Sequence, residues 1–208
     1  MKKINYKFNL GVIGEGDKGK NMILEFLSHL TISSSSSSIN NEFQIIHQSI
    51  PLKVKVFQAE RVNDFVELYN SIEHLDGIIQ ILDLYDLNSI NQILLDYYLE
   101  FYNLYSFQGS KILVAVDMNL INAKILEDRL RISRLSLVRK TQELNFIYCF
   151  EITDQQSDFA ELFDNLFDDT ILKFKLSNPE LYEQALNYGH ILASEDINDN
   201  QKKRSNIS

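Results

Sequence analysis

Two rhythms of apolar residues alternate along this chain. Short continuous or every-second-residue runs read as strands; apolar residues three and four apart read as helices. About Lys7 to Ile13 is the first strand. About Lys20 to Leu30 sets Ile23, Leu24, Leu27 and Leu30 on one helical face. Ser33 to Ser38 is an unbroken serine run with nothing to bury, and reads as a loop. Glu42 to His47 is a second strand. Leu52 to Gln58 is a third, with Leu52, Val54 and Val56 alternating against Lys53 and Lys55. The short link around Ser49-Ile50-Pro51 cannot hold a crossover helix, so these two strands are predicted to form an antiparallel hairpin.

In the second half helices and strands alternate, with no sequence repeat. A helix is predicted over about Asn63 to His74, then a near-continuous apolar run over Gly77 to Leu84, as in a buried parallel strand. A long helix over about Asn88 to Tyr105 is followed by a strand at Lys111 to Val116. Helix Asn122 to Glu143 precedes strand Asn145 to Phe150, and helix Phe159 to Leu176 follows it. Asn178 as cap and Pro179 as first residue open a last helix reaching about Leu192. From Glu195 the chain is polar and is predicted to be disordered. The sum is an α/β fold: three layers, a mostly parallel six-stranded sheet with one antiparallel hairpin strand, and helices on both faces.

Charge and composition narrow the partners. The 208 residues carry a net charge of −9, which repels a phosphate backbone and argues against nucleic acid. One cysteine, Cys149, excludes an internal disulfide; in an apolar run it reads as core filler. No apolar run approaches the length of a membrane span, and no lipidation signal or intrinsic membrane anchor is legible. A cytoplasmic location is the matching expectation. The four histidines are scattered, which predicts no metal site.

The stretch with chemistry is Phe8-Asn-Leu-Gly-Val-Ile-Gly14, then Glu-Gly-Asp-Lys-Gly19-Lys20-Asn21. A strand, a glycine-rich turn and a helix start place backbone N–H groups and a helix dipole around one point, which suits a phosphate. Gly14-x-x-x-x-Gly19-Lys20 is the phosphate loop up to its last position, where Asn21 replaces Ser or Thr. Gly14-x-Gly16-x-x-Gly19 is also the dinucleotide fingerprint. A third reading needs no ligand: the glycines let a helix pack close to a strand. The dinucleotide reading lacks both a helix between its second and third strands and a ribose-binding acid about 20 residues on. Asp83 and Asp86 end the fourth strand where α/β ligands bind, but such residues more often only cap the next helix or face solvent.

Over roughly Lys7 to Leu172 the order of elements, with its single hairpin after the serine loop, resembles the Ras/Rab-like small GTPases. The resemblance implies a GTPase-like domain over residues 1–176, an added helix at 177–194 and a tail at 195–208. It places Lys20 at the phosphates, Asn21 where a hydroxyl ligates magnesium, and Asp17 as an unwelcome negative charge beside them. The family's Asp-x-x-Gly should fall near Phe57-Gln58-Ala59-Glu60-Arg61, which has neither residue. Its guanine-reading Asn-Lys-x-Asp falls on Val116-Asp117-Met118-Asn119, so Asn119 stands where an aspartate accepts two N–H bonds. Its Ser-Ala-Lys falls on Thr153-Asp154-Gln155. Thr31 or one of Ser33 to Ser38 is the candidate for its switch threonine.

Gly14, Gly16, Gly19, Lys20, Asn21 and Asn119 therefore read as a vestigial nucleotide site with no catalytic residue. The expectation is a degenerate member: a non-catalytic protein-interaction subunit in trafficking or complex assembly. No cofactor is expected beyond weakly held GTP or GDP with magnesium. A working GTP-binding small GTPase is the alternative, and an NAD(P)-binding protein a lesser one. On the helix after Asn88 the aromatic residues span more than one face, so Tyr98, Tyr102 and Tyr105 are either candidate contacts for a protein partner or covered by the last helix.

Overall fold

The computed structural model describes residues 5–32, 41–64, 75–86, 90–91, 93, 107–117, 131–152 and 156–205. Six strands form one sheet: β1 (Tyr6–Ile13), β2 (Glu42–His47), β3 (Ile50–Ala59), β4 (Gly77–Asp83), β5 (Ser110–Val116) and β6 (Tyr148–Ile152). Their spatial order is β2-β3-β1-β4-β5-β6. Every neighbouring pair is parallel except β2 with β3. Four helices are described: α1 (Lys18–Leu30), α2 (Arg134–Glu143), α3 (Gln156–Ser177) and α4 (Pro179–Ser205).

Both faces of the sheet are covered because the central strands are apolar on both sides. Along β1, Phe8, Leu10 and Val12 join α1 through Ile23 and Leu27, and α3 through Leu162, Phe163, Leu166 and Phe167. Ile13 points the other way and packs with Val62, Ile90, Ile93 and, on α2, Leu137. The result is a three-layer α/β fold with its antiparallel strand at one edge, as the element order predicts. Its phosphate-loop-like turn leaves the end of β1, the strand flanked by β3 and β4.

The hairpin turn is Gln48-Ser49, both residues in the left-handed region at φ 47° and 62°. Such primed turns match the twist of the strands but normally favour Asn or Gly. Here the turn is held from outside. His47 Nε2 lies 2.6 Å from Asp168 Oδ1 on α3, and Gln48 Nε2 donates to the same oxygen at 2.8 Å. Asp164 stands 3.8 Å from the other ring nitrogen. Asp168 is about half exposed, so the pair is screened by solvent. In a double-mutant cycle, His47→Gln with Asp168→Asn is expected to show a coupling of about 0.5 kcal/mol by denaturant unfolding. Strict additivity would show that this latch contributes nothing.

The structure differs from the sequence reading at several boundaries. The helix predicted over Asn122 to Glu143 is not continuous. Ser133 is extended (φ −72°, ψ 145°) and its hydroxyl accepts from the Ser136 N–H at 3.2 Å, so α2 starts at Arg134. The last strand begins at Tyr148 rather than Asn145, because Asn145 takes a left-handed conformation (φ 55°) just past the end of α2. α4 continues to Ser205, into the stretch where polar composition predicts disorder; no Pro or Gly in 195–205 interrupts it. Cys149 is half-buried against the α2-side core rather than enclosed; burial pushes its thiol up, away from the thiolate. No described helix is long and apolar enough to cross a membrane.

Candidate functional site

The turn between β1 and α1 has the backbone of a phosphate cradle. Gly14 lies so close to β4 that an added Cβ would meet the Ile81 Cβ at 2.9 Å and its carbonyl oxygen at 3.1 Å. Gly16 is left-handed (φ 67°), and a methyl added there would find nothing within 4 Å, so the turn is open at this point. α1 starts at Lys18, and the Asn21 N–H already bonds back to the Asp17 carbonyl at 2.8 Å. No side-chain cap covers the helix start.

The side chains tell a different story from the backbone. Lys20 is buried, 4 % exposed, and its Nζ donates to the Gly14 carbonyl at 3.1 Å. Asp17 Oδ1 stands 3.6 Å from the same ammonium. Glu15 lies 3.9 Å from Arg61, two residues past the end of β3. Glu15 and Asp17 thus offset Lys18 and Lys20, and the turn carries no net charge. The Gly14 N–H is directed to the Ala59 carbonyl at 3.1 Å, so this donor serves the sheet. Asn21 is exposed and offers an amide rather than a hydroxyl. The glycine and helix geometry fits a phosphate; the donor set does not fit a magnesium-bound one. Among the described residues no three His, Cys, Asp or Glu side chains gather as metal ligands.

The neighbouring loops are occupied by local structure. Asp64 accepts from the Arg61 N–H at 3.1 Å, capping the helical residues 62–64. Asp83 accepts from the Tyr85 N–H at 3.0 Å, closing a turn at the end of β4. Thr31 donates to the Leu27 carbonyl at 3.0 Å and bridges to Ile45. Asp117, where the resemblance implies a lysine, is buried with the Tyr85 hydroxyl donating to it at 3.4 Å. Asn119, the Thr153-Asp154-Gln155 stretch, the serine run, and Tyr98, Tyr102 and Tyr105 lie outside the described residues.

No protein-family model matches this chain, and no curated protein matches it either.

One feature near the turn escaped sequence reasoning. Gln80 is buried in β4, paired in register with Ile13. Its Nε2 donates to the Ile13 carbonyl at 3.2 Å and to the Ile81 carbonyl at 3.3 Å. Its Oε1 has no hydrogen-bond partner among the described residues. The signal was available: Gln80 is the polar break in an otherwise apolar strand. It ties β4 to the end of β1 immediately before the glycine turn.

Proposed function

We propose that this chain is a small-GTPase-like protein that has kept the fold and lost the nucleotide chemistry, serving as a non-catalytic interaction subunit in trafficking or complex assembly. The observation that carries the reading is the state of Lys20. Its ammonium is satisfied inside the turn by the Gly14 carbonyl with the Asp17 carboxylate alongside. A phosphate arriving there meets the Asp17 carboxylate, which is 86 % exposed and so screened by solvent, a like charge that opposes it by about 1 kcal/mol or less. The hydroxyl that would hold magnesium is absent at Asn21, and the base-reading strand end presents Val116 and buried Asp117. Each loss is modest alone; together they remove the metal, charge and base contacts that make such binding tight.

The open left-handed Gly16 and the uncapped start of α1 favour a second reading, a nucleotide kept by the turn alone without switching. One experiment separates the two. The purified protein is denatured and any released nucleotide identified; labelled GTP, ATP and NADH are then titrated with magnesium. The expected result is no released nucleotide and no saturation at micromolar concentrations. Tight, magnesium-dependent GTP binding overturns the proposal, and saturable NADH binding selects the dinucleotide reading.

A further inference from the structure

The sheet has two edges, and the chain treats them differently. Along β2 the outer side is occupied: the Ile32 N–H donates to the Gln44 carbonyl at 3.0 Å, and Thr31 bridges to Ile45. β6 is the last strand at the other edge, and among the described residues nothing pairs with its outer side. Folded proteins blunt such an edge with lysine, proline, a bulge or a covering segment. β6 reads Tyr-Cys-Phe-Glu-Ile, with no lysine, proline or glycine, and all but Ile152 are only half-buried. Ile147, just before it, is 54 % exposed. α2 lies beside this edge, and two of its residues set its direction. Leu137 packs into the core of that sheet face, while Thr141 hydrogen-bonds, side chain to side chain, with Cys149 of β6. The rotation from Leu137 to Thr141 continues round the helix to Val138 and then Leu135. These two, 40 % and 62 % exposed, therefore look out past the strand. Arg134 makes no ion pair among the described residues, and its charge acts on Cys149.

We propose that this chain forms a symmetric pair through that edge, β6 of one copy lying antiparallel to β6 of a second and joining the two sheets into one. Self-complementarity is what selects a second copy as the occupant. With the two-fold axis at Phe150, each half-buried Phe150 ring meets its own counterpart in an aromatic cross-strand pair. Cys149 and Glu151 share the α2 face of the strand, and in this register Cys149 of one copy stands opposite Glu151 of the other. Each Glu151 carboxylate, which within its own chain pairs with Arg131, thus also enters the field of the other copy's Arg134. The axis runs perpendicular to the sheet, so both α2 helices stay on one face, and Leu135 and Val138 of each turn toward those of the other. Because the same patch serves both copies, the contact closes at two. β4 and β5 separate β6 from β1, so the pair forms whether or not a nucleotide occupies the glycine turn.

The test uses the full chain and one surface variant, Leu135→Lys with Val138→Lys, checked for native circular dichroism. By sedimentation, the mass of the unaltered protein is expected to rise from the 24.2 kDa of one chain to twice that value as concentration increases to about 0.5 mM, and to stop there. The variant sets added cations against each other across the axis and stays monomeric over the same range. Hydrogen exchange of the unaltered protein, dilute and concentrated, reads the edge itself: amides within Tyr148–Ile152 are expected to slow by about tenfold or more in the pair, while those of β2 keep their rate. An unaltered protein that stays monomeric throughout overturns the proposal. So does a mass that passes twice that of one chain, a variant that pairs as well as the unaltered protein, or a pair whose β6 amides exchange as fast as in the monomer.

Discussion

Gly189→Ala is expected to destabilise the protein by about 1–3 kcal/mol and to free α4 from the hairpin. The sign is what makes the substitution informative. In an exposed helix interior, replacing Gly by Ala stabilises by about 1 kcal/mol, because alanine is the better helix former. Here Gly189 is the point where α4 touches the hairpin. A methyl placed on it would run into the Ser49 carbonyl oxygen, with the Ser49 carbonyl carbon at 2.7 Å and the Pro51 ring at 3.2 Å. The obstacle is backbone, so no side-chain rotation relieves it. Either the helix lifts or the turn deforms, and the turn is already left-handed at both residues. Lifting α4 exposes Ala185, Tyr182 and Leu186, which it buries against the main core. The prediction is checked by thermal unfolding together with limited proteolysis: a lower midpoint and new cleavage near Asn178. A midpoint that rises would mean that α4 does not dock at this point.

Phe163→Ala is expected to cost about 3–5 kcal/mol, a large share of the stability of a domain this size. Phe163 is 1 % exposed at the centre of an aromatic stack. Its ring lies 5.4 Å from Phe26 of α1 and 5.5 Å from Phe167 of α3, and Phe167 in turn meets Phe8 of β1 edge-on at 5.8 Å. One truncation therefore opens a cavity where two helices and the sheet meet, and the rings around it cannot collapse without leaving their neighbours. Denaturant unfolding measures the loss. Leu176→Ala, at a site 74 % exposed on the same helix, serves as the control and is expected to shift stability by no more than about 0.5 kcal/mol. Equal effects at the two positions would refute the assignment of this face as the core.

The same contrast governs how much of the molecule could be read without coordinates. Periodicity is a local property, so the strands over Gly77 to Leu84 and Lys111 to Val116 were legible to within a residue of β4 and β5. The short link predicted around Ser49-Ile50-Pro51 announced the antiparallel pair, because a few residues cannot span a crossover, but the turn itself is Gln48-Ser49 and Ile50 and Pro51 already pair with His47 and Ile46. The helix predicted over Asn122 to Glu143 failed at Ser133, where a side-chain cap outweighs a continuous apolar rhythm. In the candidate site, the glycines and Lys20 were legible because a turn is built from consecutive residues. Where Lys20 spends its donor was not, nor was the Glu15 contact with Arg61, since β3 returns to that turn only through the fold.

Local pattern was thus enough for the order of the six strands, the α/β class, the parallel core and the glycine turn, because apolar spacing and turn chemistry act over a handful of neighbouring residues; the helices predicted over Asn63 to His74 and Asn88 to Tyr105 lie almost wholly outside the described residues. The folded chain was needed to establish that His47 meets Asp168, that Gln80 is buried beside Ile13, that Gly189 touches Ser49, and that α2 and α4 face opposite ways. Those contacts join residues far apart in the chain, and which of them form depends on how the sheet aligns its strands, not on any pattern within one segment.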